Sequence, residues 1–222
     1  MTTTDPTSRA GRLAAIGFDY RAQPCHRVDA CNLCGGSRFV ALTHRDRYGY
    51  PAEAHACTRC GLVFLNPVMT AEAYGHFYHH VYRPLVSAYH GRTIDAVTLQ
   101  PEQRAYARDR IDFLGPYLSG SKAKTLLDIG GSTGVVAHAL AREFELEATV
   151  IDPAPLEVAE ARALGLETVT GLVEHHDFGA RRFDVVTICQ TVDHLLDIAA
   201  TLHRVRDLLR RRAALLQRCL VR

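Results

Sequence analysis

The chain has 222 residues, 47% of them hydrophobic and 23% charged, with 26 Lys and Arg against 24 Asp and Glu and a formal net charge of +2. This is the composition of a soluble globular protein, long enough for one domain of about 150 residues plus a small module, and it excludes a short peptide scaffold and any bulk attraction for nucleic acid. No apolar run approaches the ~18 residues of a membrane span, and Met1–Pro6 lacks the features of a secretory signal. A cytoplasmic location is therefore expected, where the seven Cys stay reduced and paired spacing points to metal.

Residues 1–24 read as a flexible leader with one short helix near Leu13 to Ile16. From Cys25 to Asn66 a small β module is expected, with apolar pieces at Phe39–Leu42 and Leu62–Leu65. It holds two Cys-x-x-Cys knuckles, Cys31/Cys34 and Cys57/Cys60, separated by 22 residues and each followed by glycine. Four thiolates from two hairpins make a closed tetrahedral site that fits a structural Zn²⁺ and leaves no open position for chemistry, with iron–sulfur ligation as the chemical rival. Residues 67–99 form a partly helical connector dense in aromatics and His, in which Tyr74, Tyr78 and Tyr82 make a stripe.

Gln100 to Leu118 has a helical pattern ending at Gly115-Pro116 or soon after. Strands are expected at Thr125–Ile129, Ala148–Ile151, Glu167–Thr170 and Phe183–Cys189. Between them fall a helix over Val135–Phe144 and one that opens at Asp152-Pro153 with Asp as its cap; a third follows over Leu196–Arg210. Such alternation specifies a Rossmann-like α/β domain over residues 100–222, a parallel sheet with helices on both faces.

Asp128-Ile129-Gly130-Gly131-Ser132-Thr133-Gly134 places glycines where a strand turns sharply into a helix whose first amides face a ligand. A dinucleotide fingerprint fails, because Ser132 and Val135 stand where glycines are needed, and a phosphate loop fails because Val135 and Val136 follow Gly134. What remains is an acid at the end of one strand and a second, Asp152, at the end of the next, suited to an ammonium and to the two hydroxyls of a ribose.

These motifs resemble the class I S-adenosylmethionine-dependent methyltransferases. The resemblance implies cofactor contacts from Asp128, Gly130, Gly131, Ser132, Gly134, Asp152, Pro153 and Gln190, with adenine held by the main chain of Leu172 and Val173. Ser132 replaces the family's middle glycine, which asks for a slightly wider turn. A zinc ribbon followed by an aromatic connector resembles bacterial enzymes with an N-terminal zinc-binding domain, including C-methyltransferases of nucleotide-linked deoxysugars. In that reading Tyr74, Tyr78 and Tyr82 contact the substrate; otherwise they are packing surface. His194 is then the base that takes the proton beside a keto group, with Asp193 as its partner; the alternative is a His194 that packs on the cofactor without proton transfer. The family's Pro-Gly-Gly turn is missing after Arg210 and residues 213–221 have room for at most one further strand or an extension of the helix, so a truncated sheet is expected; a fourth strand left at its edge would invite self-association. Two further readings stand: an inactive remnant, or a zinc-ribbon module whose Arg-rich tail binds nucleic acid or a protein partner.

Overall fold

The computed structural model describes residues 5–192, 195 and 197–218, with side chains through Arg210. The chain forms two compact units, Met1–Asp95 and Ala96–Arg222.

The first unit contains α1 (Arg9–Ala15), β1 (Cys25–His26), β2 (Phe39–Thr43), β3 (Ala54–Cys57), β4 (Val63–Leu65), β5 (Val68–Met69), α2 (Ala71–His76), a π-helical turn at Phe77–Val81 and α3 (Tyr82–His90). Strands β2, β3 and β4 form an antiparallel sheet, and β1 pairs with β5. The buried Asn66 side chain extends this framework, accepting from Val28 N and donating to Val28 O at 3.0 Å each. The segment expected to be a leader is part of the packed unit. Tyr20 is buried with Ala52, Met69 and Ala73, Phe18 packs against that cluster, and Arg12 Nε donates to Ala88 O. A Cys-rich module has little apolar core of its own, and these two rings supply one.

The second unit contains α4 (Gln100–Leu118), β6 (Thr125–Ile129), α5 (Val135–Phe144), β7 (Glu147–Asp152), α6 (Pro155–Ala163), β8 (Glu167–Thr170), β9 (Phe183–Cys189), α7 (Ile198–Leu208) and β10 (Leu209–Arg218). All strand pairs are parallel, in the order β10-β9-β6-β7-β8. Side chains alternate across the sheet. Leu126, Ala148, Val150 and Val185 pack with Leu114, Leu118, Ala137, Leu140 and Ala161 from α4, α5 and α6. On the other face Leu127, Ile129, Ile151, Val186 and Ile188 pack with Val205 and Leu208 of α7 and with Val173 and Phe178. The strands are apolar on both sides because both sides are covered.

Helix α4 ends at Leu118 as expected, its last turn running through Gly115-Pro116 because Leu114 and Leu118 are both buried. Two features differ from expectation. Asp152 stays the last residue of β7 and does not cap α6, which starts at Pro155 after Ala154. The other concerns the sheet edge. The fourth strand, β9, lies between β6 and β10 and is not an edge. No glycine turn is needed, because Leu209 is already extended (φ −78, ψ 142) directly after α7. The register shift between Leu209 and Ala214 then brings Ala214 opposite Val185, and regular pairing continues to Arg218 opposite Cys189.

Candidate functional site

The site is built at the carboxyl ends of β6, β7 and β9, where open parallel sheets bind ligands. The turn after β6 is tight for steric reasons. Gly130 (φ 68) and Gly134 (φ 73) are left-handed. A Cβ at 134 would meet Ala161 Cβ and Leu166 Cδ1 at 2.7 Å, and one at 130 would overlap the Thr191 side chain. A Cβ at 131 would meet Asp128 Oδ2 at 2.8 Å. Ser132, in place of the family's middle glycine, adopts the glycine-like conformation itself, with φ 51.

Asp128 alternates with Leu127 and Ile129 and so faces the α4 side of the sheet, fully buried. Its Oδ1 accepts from Thr187 Oγ1 at 2.7 Å, and its Oδ2 has no hydrogen-bond partner among the described residues. Burial pushes this carboxyl up to about 7, Asp152 adds to the rise, and Thr187 and Arg110 oppose it. Arg110, on α4, is buried at 3% exposure, and none of its three guanidinium nitrogens has a hydrogen-bond partner among the described residues. Arg110 has only a long ion pair to Asp109, 3.9 Å from Nη1, and the Tyr106 ring 5.3 Å from its Cζ, so a buried guanidinium short of hydrogen bonds beside a half-partnered buried carboxylate is costly in the free protein. The pair suits a ligand that brings both an ammonium and a carboxylate.

Asp152 orders the other side of the turn. Its Oδ2 accepts from Ser132 N and its Oδ1 from Ala154 N, both at 2.9 Å. Thr133 Oγ1 donates to Gln103 Oε1, which ties the turn to α4. Pro153 follows directly on Asp152. Gln190 closes β9 in a left-handed conformation (φ 56), and Thr191 Oγ1 donates to Cys189 O at 3.1 Å while its side chain covers Gly130. On the loop after β8, Leu172 is 37% exposed and Val173 is buried in the core. The Leu172 carbonyl accepts from His175 N and His176 N, both at 3.1 Å, and is committed within the loop.

Asp128, Gly130, Gly131, Ser132, Gly134 and Asp152 are thus brought together, as expected. Asp193 and His194 lie outside the described residues. Tyr74, Tyr78 and Tyr82 belong to the first unit and form a ladder of half-buried rings, 5.2 and 5.1 Å between centroids, on one face of α2, the π-turn and α3. Sequence reasoning missed Arg110, Thr187, Thr191 and Gln103. The only signal for Arg110 was its spacing in α4 from the buried Ala107 and Leu114, which marks an inward-facing position.

The four knuckle cysteines converge. Their Sγ atoms all lie within 4.8 Å of one another, with Cys31 to Cys60 and Cys34 to Cys57 at 3.6 Å. The hairpins are near copies: Gly35 N donates to Cys31 O at 2.8 Å and Gly61 N to Cys57 O at 2.9 Å, both glycines being left-handed. The Cys60 amide is the main influence that draws the Cys57 thiol down to about 7, while the Cys60 thiol, against the pull of the Leu62 amide, is pushed up to about 12 by burial and the neighbouring thiols, so without a metal the first negative charge falls on Cys57. Four Zn–S bonds in a tetrahedron hold sulfurs about 3.8 Å apart, so this set fits a thiolate-bound metal.

A parallel sheet with helices on both faces and a glycine turn at the carboxyl end of its central strand defines a Rossmann-like α/β class of protein. Within that class the chain belongs to a methyltransferase-domain family, whose model matches residues 99–218. It is similar to the ubiquinone biosynthesis O-methyltransferase of Erwinia tasmaniensis, 31% identical over 107 residues, covering 46% of this chain and 44% of that one. The corresponding protein of Alkalilimnicola ehrlichii is 33% identical over 101 residues, covering 42% and 40%. The chain spans less than half the length of these curated relatives. Among solved structures, Streptomyces venezuelae DesVI superposes with a TM-score of 0.47 at 17% identity, covering 56% of this chain and 57% of that one. The CcbJ methyltransferase of Streptomyces caelestis gives 0.45 at 23% identity, covering 51% and 49%.

Proposed function

We propose that the second unit binds S-adenosylmethionine and methylates a small-molecule acceptor. The observation that carries this is the buried pair with unmet hydrogen bonds, Asp128 Oδ2 and the Arg110 guanidinium, beside Asp152 at the carboxyl edge of the sheet. Asp128 accepts from the methionyl ammonium, Arg110 donates to its carboxylate, and Asp152 takes the ribose hydroxyls. Gln190, Pro153 and the Leu172–Val173 main chain line the remainder. When bound, the cofactor supplies an electrophilic sulfonium methyl. The protein then has to hold the acceptor in line about 3 Å away and take its proton.

The finer reading is a nucleotide-linked keto-deoxysugar methylated at carbon, with His194 as the base and Asp193 orienting it. The O-methyltransferase name of the curated relatives favours an oxygen acceptor as the second reading. Product analysis with each acceptor class separates them. For the first unit we propose a structural Zn²⁺ on Cys31, Cys34, Cys57 and Cys60, supported by the sulfur spacing and the paired hairpins.

Calorimetric titration with S-adenosylhomocysteine tests the cofactor reading. The expected result is saturable binding weakened at least about tenfold in Asp152→Ala, the scale of a lost charged hydrogen bond. A wild-type protein that does not bind refutes it.

A further inference from the structure

The last turn of α2 and the π-turn that follows it carry a histidine pair that neither the sheet site nor the four-thiolate site uses. His76 and His80 are both exposed, with ring centroids 4.8 Å apart and ring planes tilted by 45°. Apart from this contact and an edge contact of His80 with His79 at 6.1 Å, neither side chain has a partner among the described residues. Each imidazole therefore keeps a free nitrogen lone pair. Their offset of two residues from Tyr74, Tyr78 and Tyr82 puts them on the opposite side of the helix from the ring ladder.

Distance and donor chemistry select the ligand. With a metal–nitrogen bond of about 2.0–2.1 Å, an imidazole centroid stands about 3.2 Å from the ion. Two imidazoles at neighbouring coordination positions then have centroids about 4.5–5.2 Å apart for angles of about 90–109° at the metal. The observed 4.8 Å falls inside that window. Two such nitrogen donors suit a borderline divalent transition-metal ion, Zn²⁺ or Ni²⁺, better than the oxygen-seeking Mg²⁺ or Ca²⁺. The backbone beneath the pair is unusual as well: Tyr82 N donates to Phe77 O across the π-turn Phe77–Val81, a geometry rare in helices and frequent at functional positions.

We infer that His76 and His80 form a two-imidazole site for a borderline divalent transition-metal ion, with water in its remaining coordination positions. The bound ion staples the end of α2 to the π-turn. Because Tyr78 lies between the two ligands in the chain, the staple also holds the middle rung of the ring ladder. The site is separate from the four-thiolate centre and does not depend on the cofactor reading.

The test uses the full chain in excess-free Zn²⁺-saturated form, so that the tetrahedral thiolates are occupied, and titrates it with Ni²⁺ by calorimetry. Wild type should bind one Ni²⁺ equivalent at least about tenfold more tightly than His76→Ala or His80→Ala. The double variant should bind within about twofold of either single one, because a chelate is lost with its first donor. Ni²⁺ should raise the melting temperature of wild type and not that of the two single variants, and His79→Ala should keep wild-type affinity. Wild-type Ni²⁺ binding that is absent, or that either single variant retains, overturns the inference. Additive losses in the double variant, or an equal loss in His79→Ala, overturn it too, since they describe independent surface imidazoles.

Discussion

Replacing Asp128 by Asn separates what the carboxylate does for binding from what it costs the fold. Asn keeps an oxygen for the Thr187 hydroxyl and removes the buried charge. The carboxyl rises from 3.8 to about 7 in the folded protein, with burial as the main cause. The native state therefore holds a proton that the unfolded chain has released, and stability from this group falls as pH rises from about 4 to about 7. A rise of roughly 3 pK units at 1.36 kcal/mol each gives a ceiling of about 4 kcal/mol above pH 7, of which roughly 1.6 kcal/mol has accrued by pH 5. The buried Asn amide adds an unmet donor worth about 1–2 kcal/mol, but that penalty does not vary with pH. The stability of Asp128→Asn relative to wild type should thus improve by roughly 2–3 kcal/mol between pH 5 and pH 8, while S-adenosylhomocysteine binding is lost. The chain has no Trp, so urea unfolding followed by circular dichroism at several pH values is the suitable assay. A difference that does not grow with pH would refute the assignment of a strained, proton-holding Asp128.

Two other outcomes follow from the same structure. Arg110→Met should weaken S-adenosylhomocysteine about ten- to hundredfold and leave methylthioadenosine, which lacks the amino-acid group, unaffected; equal loss for both would move Arg110 off the methionyl carboxylate. Removing metal from the first unit with a chelator, or substituting Cys57→Ser, should unfold residues 5–95 while the second unit still binds nucleoside, because binding at a four-thiolate site contributes on the order of 10 kcal/mol of folding energy in small modules. Limited proteolysis checks it, and a first unit that stays protected without metal would show that the Tyr20, Met69 and Ala73 core suffices alone.

The local turn chemistry and the strand–helix alternation were legible in the sequence because both depend on near neighbours. Two Cys-x-x-Cys-Gly hairpins, an acid closing each of two strands, and glycines between β6 and α5 are written in consecutive residues. Tertiary packing decided the rest. The helical spacing of Arg110 from Ala107 and Leu114 marks it as inward-facing, but nothing local shows that α4 packs over the sheet and buries it beside Asp128. Phe18 and Tyr20 looked like leader residues until the first unit used them as core. The Arg-rich run after α7 lacks any turn signature, yet β9 offers an unpaired edge whose backbone groups need partners, and residues 209–218 supply them as β10. Ser132 shows both levels at once: the sequence marks it as a departure from glycine, and only the folded turn reveals that it takes glycine's conformation with its hydroxyl buried. Periodicity and spacing fix what a segment can become, whereas burial and partner choice depend on residues far apart in the chain.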